Sequence, residues 1–480
     1  MSQVDQDMPV NPSAAPARRA ADTAFFGHPV GLFYLCLTEA WERFSFSGMQ
    51  TLLVLYMVDD LFRPGHVERV AGFSILRHLT FLLDGPLTGQ ALASVVFGLY
   101  TSLVFLSPLF GGILGDRLFG QTRVVVAGAL LMACGDLLLV FERSFLAGLL
   151  FLIVGAGCIK GNISVQVAGL YTPADRRSTN AFQIFAAGID TGVIVAPLVC
   201  GTIGTIFGWR YGFLAAAAGM LCGLAIYLKG LRHLPADGRS RCERPATEQR
   251  PAARLAPSTF ASLALVFLLV TLFLSSAGQL GNVYSLWVRA RIDRHVAGFD
   301  IPIPWFQSLT PLFSVLLTPL ILKLWARQAA CTSRNATGRE PRLVTKIAIG
   351  LALNATALAI LASLSSHAGP LPWISLLPVH LLVAVAFLFV WPVGLAFFSQ
   401  VAPRGYQALF IGLFFLSSFV AGNVVGRLGT LFGPLDARDF WALHAAISAA
   451  GALLALAASL LGKRRVMAAP ATFLESKSNG

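Results

Sequence analysis

The chain has 480 residues, of which 56% are hydrophobic and only 12% charged, with a mean hydropathy of +0.71. A soluble globular domain is about 25% charged, so this composition excludes one and indicates a polytopic membrane protein. The net charge of +13 is carried by basic loops on one side of the membrane, and a nucleic-acid partner is not needed to explain it.

Residues 1–25 hold Pro, Ala, Asp and the pair Arg18-Arg19 but no apolar core of about 7–15 residues, so they read as a disordered cytoplasmic tail and not as a cleavable signal peptide. Twelve apolar stretches follow, at 31–57, 90–114, 123–141, 145–170, 181–206, 211–230, 259–287, 305–326, 343–364, 372–399, 406–431 and 440–461. Each is long enough to cross about 30 Å of hydrocarbon at about 1.5 Å per residue. The expected fold is therefore all-α, with twelve transmembrane helices. Lys and Arg gather at Arg117 to Arg123, Arg176-Arg177, Lys229 to Arg254, Lys323 to Lys346 and Lys463 to Arg465. With twelve spans all of these fall on one side, which places both termini in the cytoplasm of a protein of the cell membrane.

The first span is unusual, because Glu39, Glu42 and Arg43 lie inside an otherwise apolar helix. Ionisable groups at membrane depth are costly and mark pathways or partners. Glu39 and Glu42 are three residues apart on one face, and Arg43 is placed four beyond Glu39 to neutralise it. A static ion network that pins helices together is the plainer reading of the same residues. Gly155, Gly157, Gly161 and Gly169 in the fourth span, and Gly188, Gly192, Gly201 and Gly204 in the fifth, suit close helix packing. Between the sixth and seventh spans, residues 231–258 turn basic and rich in Pro and Ala. This linker divides the chain into an N-terminal six-helix bundle, 26–230, and a C-terminal one, 259–462, followed by a tail, 463–480. Two such bundles form a substrate site at the membrane midplane and alternate its access by rocking.

The seven cysteines are scattered through spans and cytoplasmic segments without ligand spacing, so neither a disulfide framework nor a metal site is expected. No GxxxxGK[ST], HExxH or GxSxG sequence is present, leaving ATP hydrolysis and those hydrolytic chemistries without a seat. No enzyme activity and no cofactor are expected, and an ion gradient is the remaining energy source.

Several segments carry a family resemblance. The run from Gly27-His28-Pro29 through Thr38-Glu39 and Glu42-Arg43-Phe44 to Gly48-Met49 resembles the GHPxGLxxLxxTExWERFSYYGM opening of the proton-coupled oligopeptide transporters, the peptide branch of the major facilitator superfamily. Gly111-Gly112 to Arg123 is similar to that family's GGxxADxxxGxxR segment, and Gly157 to Ser164 to its GLFKPNIS, with Gly161 where Pro is usual. Gly208 to Phe213, Phe299 to Phe313 and Ala402-Pro403 also match. The resemblance implies the major facilitator fold and a proton-driven carrier of small peptides. It assigns proton coupling to Glu39, Glu42 and Lys160, and a substrate carboxylate to Arg43 and Lys160. Lys160 is a lone cation in an apolar helix and needs a carboxylate partner, for which Glu39 or Glu42 is expected. Asn162, Gln279 and Asn282 join the substrate set.

The departures bear on cargo. Gln50 stands where the family has Arg and Gly278 where it has an acid, so its outer charge pair is lost from both sides. Losing both partners together avoids a stranded charge. Phe387 takes the place of the acid that holds a peptide amino terminus, Ala186 that of a Tyr and Thr310 that of an Asn. Asp190 replaces an Asn, and either holds a substrate ammonium or pairs with a neighbouring helix. Arg289 reads as an interfacial residue. Tyr34, Trp287, Phe387 and Trp391 are expected as pocket walls, with interfacial anchoring as the other role for the tryptophans. The function expected is secondary transport of di/tripeptides or a peptide-like, amino-acid-derived zwitterion. A proton-antiport or uncoupled exporter of a drug or metabolite, and a substrate sensor that does not transport, are the alternatives.

Overall fold

The computed structural model describes residues 24–87, 89–171, 175, 177–235, 257–334, 343–403 and 406–461. Most of the expected N-terminal tail, most of the linker and the whole 463–480 tail lie outside the described residues.

Fourteen α-helices are described: α1 Val30–Tyr56, α2 Phe73–Asp84, α3 Gly89–Ile113, α4 Gln121–Leu139, α5 Phe145–Gly169, α6 Arg177–Phe207, α7 Trp209–Gly230, α8 Pro257–Ala277, α9 Tyr284–Arg291, α10 Leu309–Arg334, α11 Leu343–Ser365, α12 Leu377–Val401, α13 Gln407–Gly429 and α14 Ala437–Leu461. Eleven helices are long and apolar enough to cross a membrane, and the chain is an integral membrane protein. α1 is not among them, because Glu39, Glu42 and Arg43 lower its apolarity, although its 27 residues are long enough. Among the described residues strand is limited to two short pairs in the loops, Ile292–Asp293 with Leu371–Pro372 and His295–Val296 with Phe299–Asp300.

The expected spans match these helices within a few residues, with one correction and one addition. The seventh, expected as one helix over 259–287, breaks into α8 and α9 through a 3-10 turn at Gly278–Leu280. A Cβ at Gly278 would come within 2.6 Å of Val425 on α13, and one at Gly281 within 3.2 Å of Phe97 on α3. The two glycines admit side chains of neighbouring helices to the backbone at this break. The addition is α2, a 12-residue helix between the first two expected spans, on which the sequence reading was silent. Ile75, Leu79, Phe81 and Leu82 on it are exposed.

One hydrophobic core runs through α1 and α3–α7 and includes Leu52, Tyr56, Met132, Ile159 and Phe213. The residues after 257 form two further cores, one around Trp287, Leu358 and Trp441 and one around Leu269, Ile347 and Phe414. Successive spanning helices alternate in direction, so the end where α1 finishes, here the distal end, is also where α6, α9 and α13 finish and α3 and α10 begin.

Contacts between the helices before and after the linker gather toward this distal end. Asp59, just past α1, is paired with Arg289 of α9. Arg427 of α13 donates from Nε to Asp84 at 2.7 Å, Gln90 of α3 donates to the carbonyl of Gly429 at 2.9 Å, and Trp305 donates to Thr202 of α6 at 2.7 Å. Between these pins α3 and α13 meet backbone to backbone, since a Cβ at Gly98 would lie 2.5 Å from the Cα of Gly426. Glycine is required there, because any side chain would push the two helices apart.

Candidate functional site

Glu39 and Glu42 are buried on α1, at 4% and 0% exposure. Arg43 neutralises both: its Nε is 3.4 Å from a Glu39 oxygen and also contacts the Glu42 carboxylate. Gly192 of α6 packs on the backbone of Ala40 and the Cβ of Arg43 so closely that no side chain fits there. Helix α6 therefore seals one flank of the cluster and keeps it out of lipid.

Lys160 of α5 does not form the ion pair expected of it with Glu39 or Glu42. Its Nζ sits 4.6 Å from the centroid of Phe46 and 5.2 Å from that of Phe105, in cation–π contact with both rings. Arg43 already engages both carboxylates, and among the described residues no carboxylate stands at ion-pair distance from Lys160. The ammonium is held by aromatic faces, an arrangement that leaves its N–H donors for an incoming anion.

Other expected ligands are used in packing. Asn162 is 1% exposed and donates to the carbonyls of Gly111 and Cys158, at 3.0 and 2.8 Å, fastening α5 to α3. Gln279 and Asn282 are fully buried. Gln279 donates to the carbonyl of Val425 at 3.0 Å, and Asn282 donates to Gln279 at 3.1 Å, pinning the α8–α9 break to α13. Trp287 is fully buried and donates to Ser365 at 2.8 Å. Tyr34 stacks on His233 at 5.6 Å, at the start of α1. Arg289 is the distal partner of Asp59 and does more than anchor at the interface. Asp190 is half-buried on α6, with no ion pair among the described residues.

Thr310 and Phe387 line a cavity of about 270 Å³ between α8, α10 and α12, along with Phe273, Gln307 and His380. No charged side chain lines it. Phe387 stacks on Trp391 at 5.9 Å, and Trp391 meets the edge of Phe414 at 4.9 Å, so the two expected aromatics stand together beside the cavity that Phe387 lines. His380, which the sequence reading passed over, accepts or donates through both ring nitrogens, to Tyr284 and Thr310, each at 2.7 Å. A single His inside an apolar run was the only sequence signal for it.

A second omission is Asp136. This lone acid in the Cys134-Gly135-Asp136-Leu137 stretch of α4 is fully buried, and Ser45 of α1 donates to its Oδ2 at 2.6 Å. The rule that made Glu39 and Glu42 conspicuous, a carboxylate inside an apolar span, applies equally to it.

Comparison with known proteins agrees with this architecture. The model of the POT family matches residues 122–241 and 258–436, well over half of the chain. The chain belongs to the POT family. The matched residues begin beyond α1, so the Glu39 to Phe44 motif adds to that match and does not repeat it. A di-/tripeptide transporter of Lactococcus lactis is 29% identical, over 88% of this chain and 93% of that protein. The peptide transporter YePEPT of Yersinia enterocolitica is 28% identical, over 84% and 88%. Among solved structures, the peptide transporter POT in complex with alafosfalin superposes with a TM-score of 0.77 at 25% identity, covering 93% of this chain and 98% of the other. A POT family transporter in complex with 5-aminolevulinic acid has the same TM-score at 22% identity and shares the fold.

Proposed function

We propose that this POT family member is a secondary transporter that moves di/tripeptides, or a peptide-like, amino-acid-derived zwitterion, across the cell membrane by alternating access driven by protons. The observation that carries this reading is the buried Glu39–Glu42–Arg43 cluster on α1 with Lys160 beside it on aromatic faces. Two carboxylates share one guanidinium, so a proton arriving on either frees part of the arginine for a substrate carboxylate. Lys160 supplies a second cation for the same group. Substrate and proton then bias the same equilibrium between the two halves. Peptide-transporting relatives in Lactococcus and Yersinia support the cargo class.

In this reading α1 is also a span and brings their number to twelve, the helices form two six-helix bundles joined by the basic linker, and both termini are cytoplasmic. The distal end then faces outward, and the structure is a carrier closed to the outside. Asp190 and the aromatic pair Phe387 and Trp391 contribute to the substrate pocket, with Thr310 and His380 as neutral hydrogen-bonding groups. The chain carries no enzymatic step.

The test is uptake of a labelled dipeptide by proteoliposomes containing the full chain. Saturable accumulation under an inward proton gradient, lost when a protonophore collapses it, is expected. Binding without accumulation would replace this reading with a sensor, and accumulation only under the opposite gradient would replace import with export.

A further inference from the structure

Asp136 has no role in the mechanism so far, yet it has a functional group's surroundings. It is fully enclosed, its Oδ2 is held by the Ser45 hydroxyl at 2.6 Å, and its Oδ1 has no partner. Ser45 lies three residues beyond Glu42 on α1, so Asp136 sits about one helical turn toward the distal end from the charge cluster. The titratable groups that face it are Glu42 from α1, Tyr100 from α3 and Cys200 from α6. The Tyr100 hydroxyl is itself fully enclosed and unpaired. None of these groups is cationic, and the nearby Arg43 is engaged with Glu39 and Glu42.

An enclosed carboxylate with one hydroxyl donor and no cation is strongly unfavourable, whereas the neutral acid in the same place is not. A carboxylate that merely stapled α4 to α1 would gain nothing over an Asn or Ser at 136. We propose that Asp136 is a second proton-binding site, whose occupancy is tied to that of Glu42 because two anionic carboxylates in one enclosed pocket repel each other. When Glu42 is anionic and engaged with Arg43, the proton resides on Asp136; when Glu42 is protonated, Asp136 is released from that repulsion. Ser45 is a positioning residue that fixes the Asp136 carboxyl toward α1. The involvement of this site in transport rests on the reading of the chain as a proton-driven carrier, whereas its proton binding does not.

The test uses infrared difference spectroscopy of the full chain reconstituted in lipid, stepped between neutral and acidic pH, on the native protein and on D136N and D136E. The expected result is a protonated-carboxyl carbonyl band that D136N removes and D136E moves in frequency. In dipeptide uptake by the same vesicles, D136N is expected to shift the pH midpoint by roughly one unit, because the proton shared between Asp136 and Glu42 loses one of its two sites. Should D136N fold poorly, the frequency shift in D136E decides the matter. A band unchanged in both variants would overturn the proposal. Native vesicles that accumulate no dipeptide yet show the Asp136 band would sink the transport reading and leave the proton site standing.

Discussion

Arg43 is the residue on which the buried cluster depends. Removing it leaves two enclosed carboxylates without a cation, and breaking a buried ion pair from one side costs about 3–5 kcal/mol. Arg43→Ala is therefore expected to lower the detergent-solubilised melting temperature markedly, and adding Glu39→Gln and Glu42→Gln to it should restore much of the loss without restoring proton-driven uptake. Lys160 differs, because its charge rests on Phe46 and Phe105 and not on a carboxylate. Lys160→Ala should leave the melting temperature within about 1 kcal/mol equivalent of the parent while abolishing gradient-driven accumulation and sparing exchange. Undiminished accumulation would remove Lys160 from the coupling set. Sequence reading singled out these charges because carboxylates and lysines in apolar runs are conspicuous. It paired them wrongly because the partner of Lys160 is an aromatic ring on α1, and Phe46 in a membrane helix looks like any lipid-facing side chain.

Among the elements, the α8–α9 break and its neighbours show what the family departures mean. Gly278 stands where an acid was expected, and Val425 of α13 fills the space that an acid would need. Just beyond it, α9 supplies Arg289 to Asp59 at the end of α1, so the same two spans are joined by a pair of reversed polarity further toward the distal end. From the sequence, the loss of the family's charge pair at the positions of Gln50 and Gly278 was legible, but its replacement was not. Asp59 and Arg289 are 230 residues apart, and only folding places them together. Asp59→Arg and Arg289→Asp are each expected to reduce transport by favouring the open distal end, and the exchanged pair D59R with R289D to recover most of it. No recovery in dipeptide exchange would show that the contact does not hold that end shut. Gly278→Glu should act in the same direction as the single charge reversals, since it collides with Val425.

At the scale of the molecule, the order and length of the spans were readable because hydrophobic runs of about 20 residues leave little freedom to a chain in lipid. What escaped was set by tertiary contact: the neutral cavity of Thr310, His380 and Phe387 among the helices after the linker, and, between helices before and after it, the glycine contact of α3 with α13 and the pairing of Asp84 with Arg427. The cavity bears on cargo, because it offers no anion to a substrate amine. Phe387→Glu is expected to improve competition by ordinary dipeptides, and Asp190→Asn to weaken binding of amine-bearing substrates, both measured as displacement of a labelled ligand from the purified chain.

The distal closure joins bare backbone at Gly98 and Gly426 and is pinned by charges, one of which, Arg427, has a side chain that is 53% exposed. Part of its hold therefore comes from groups that dissolved ions reach. Raising salt in the medium on that side from roughly 0.1 M to 1 M shortens electrostatic screening from about 10 Å to about 3 Å. Exchange is therefore expected to quicken in brine wherever reopening of this end limits the turnover, which a salt series on reconstituted vesicles measures.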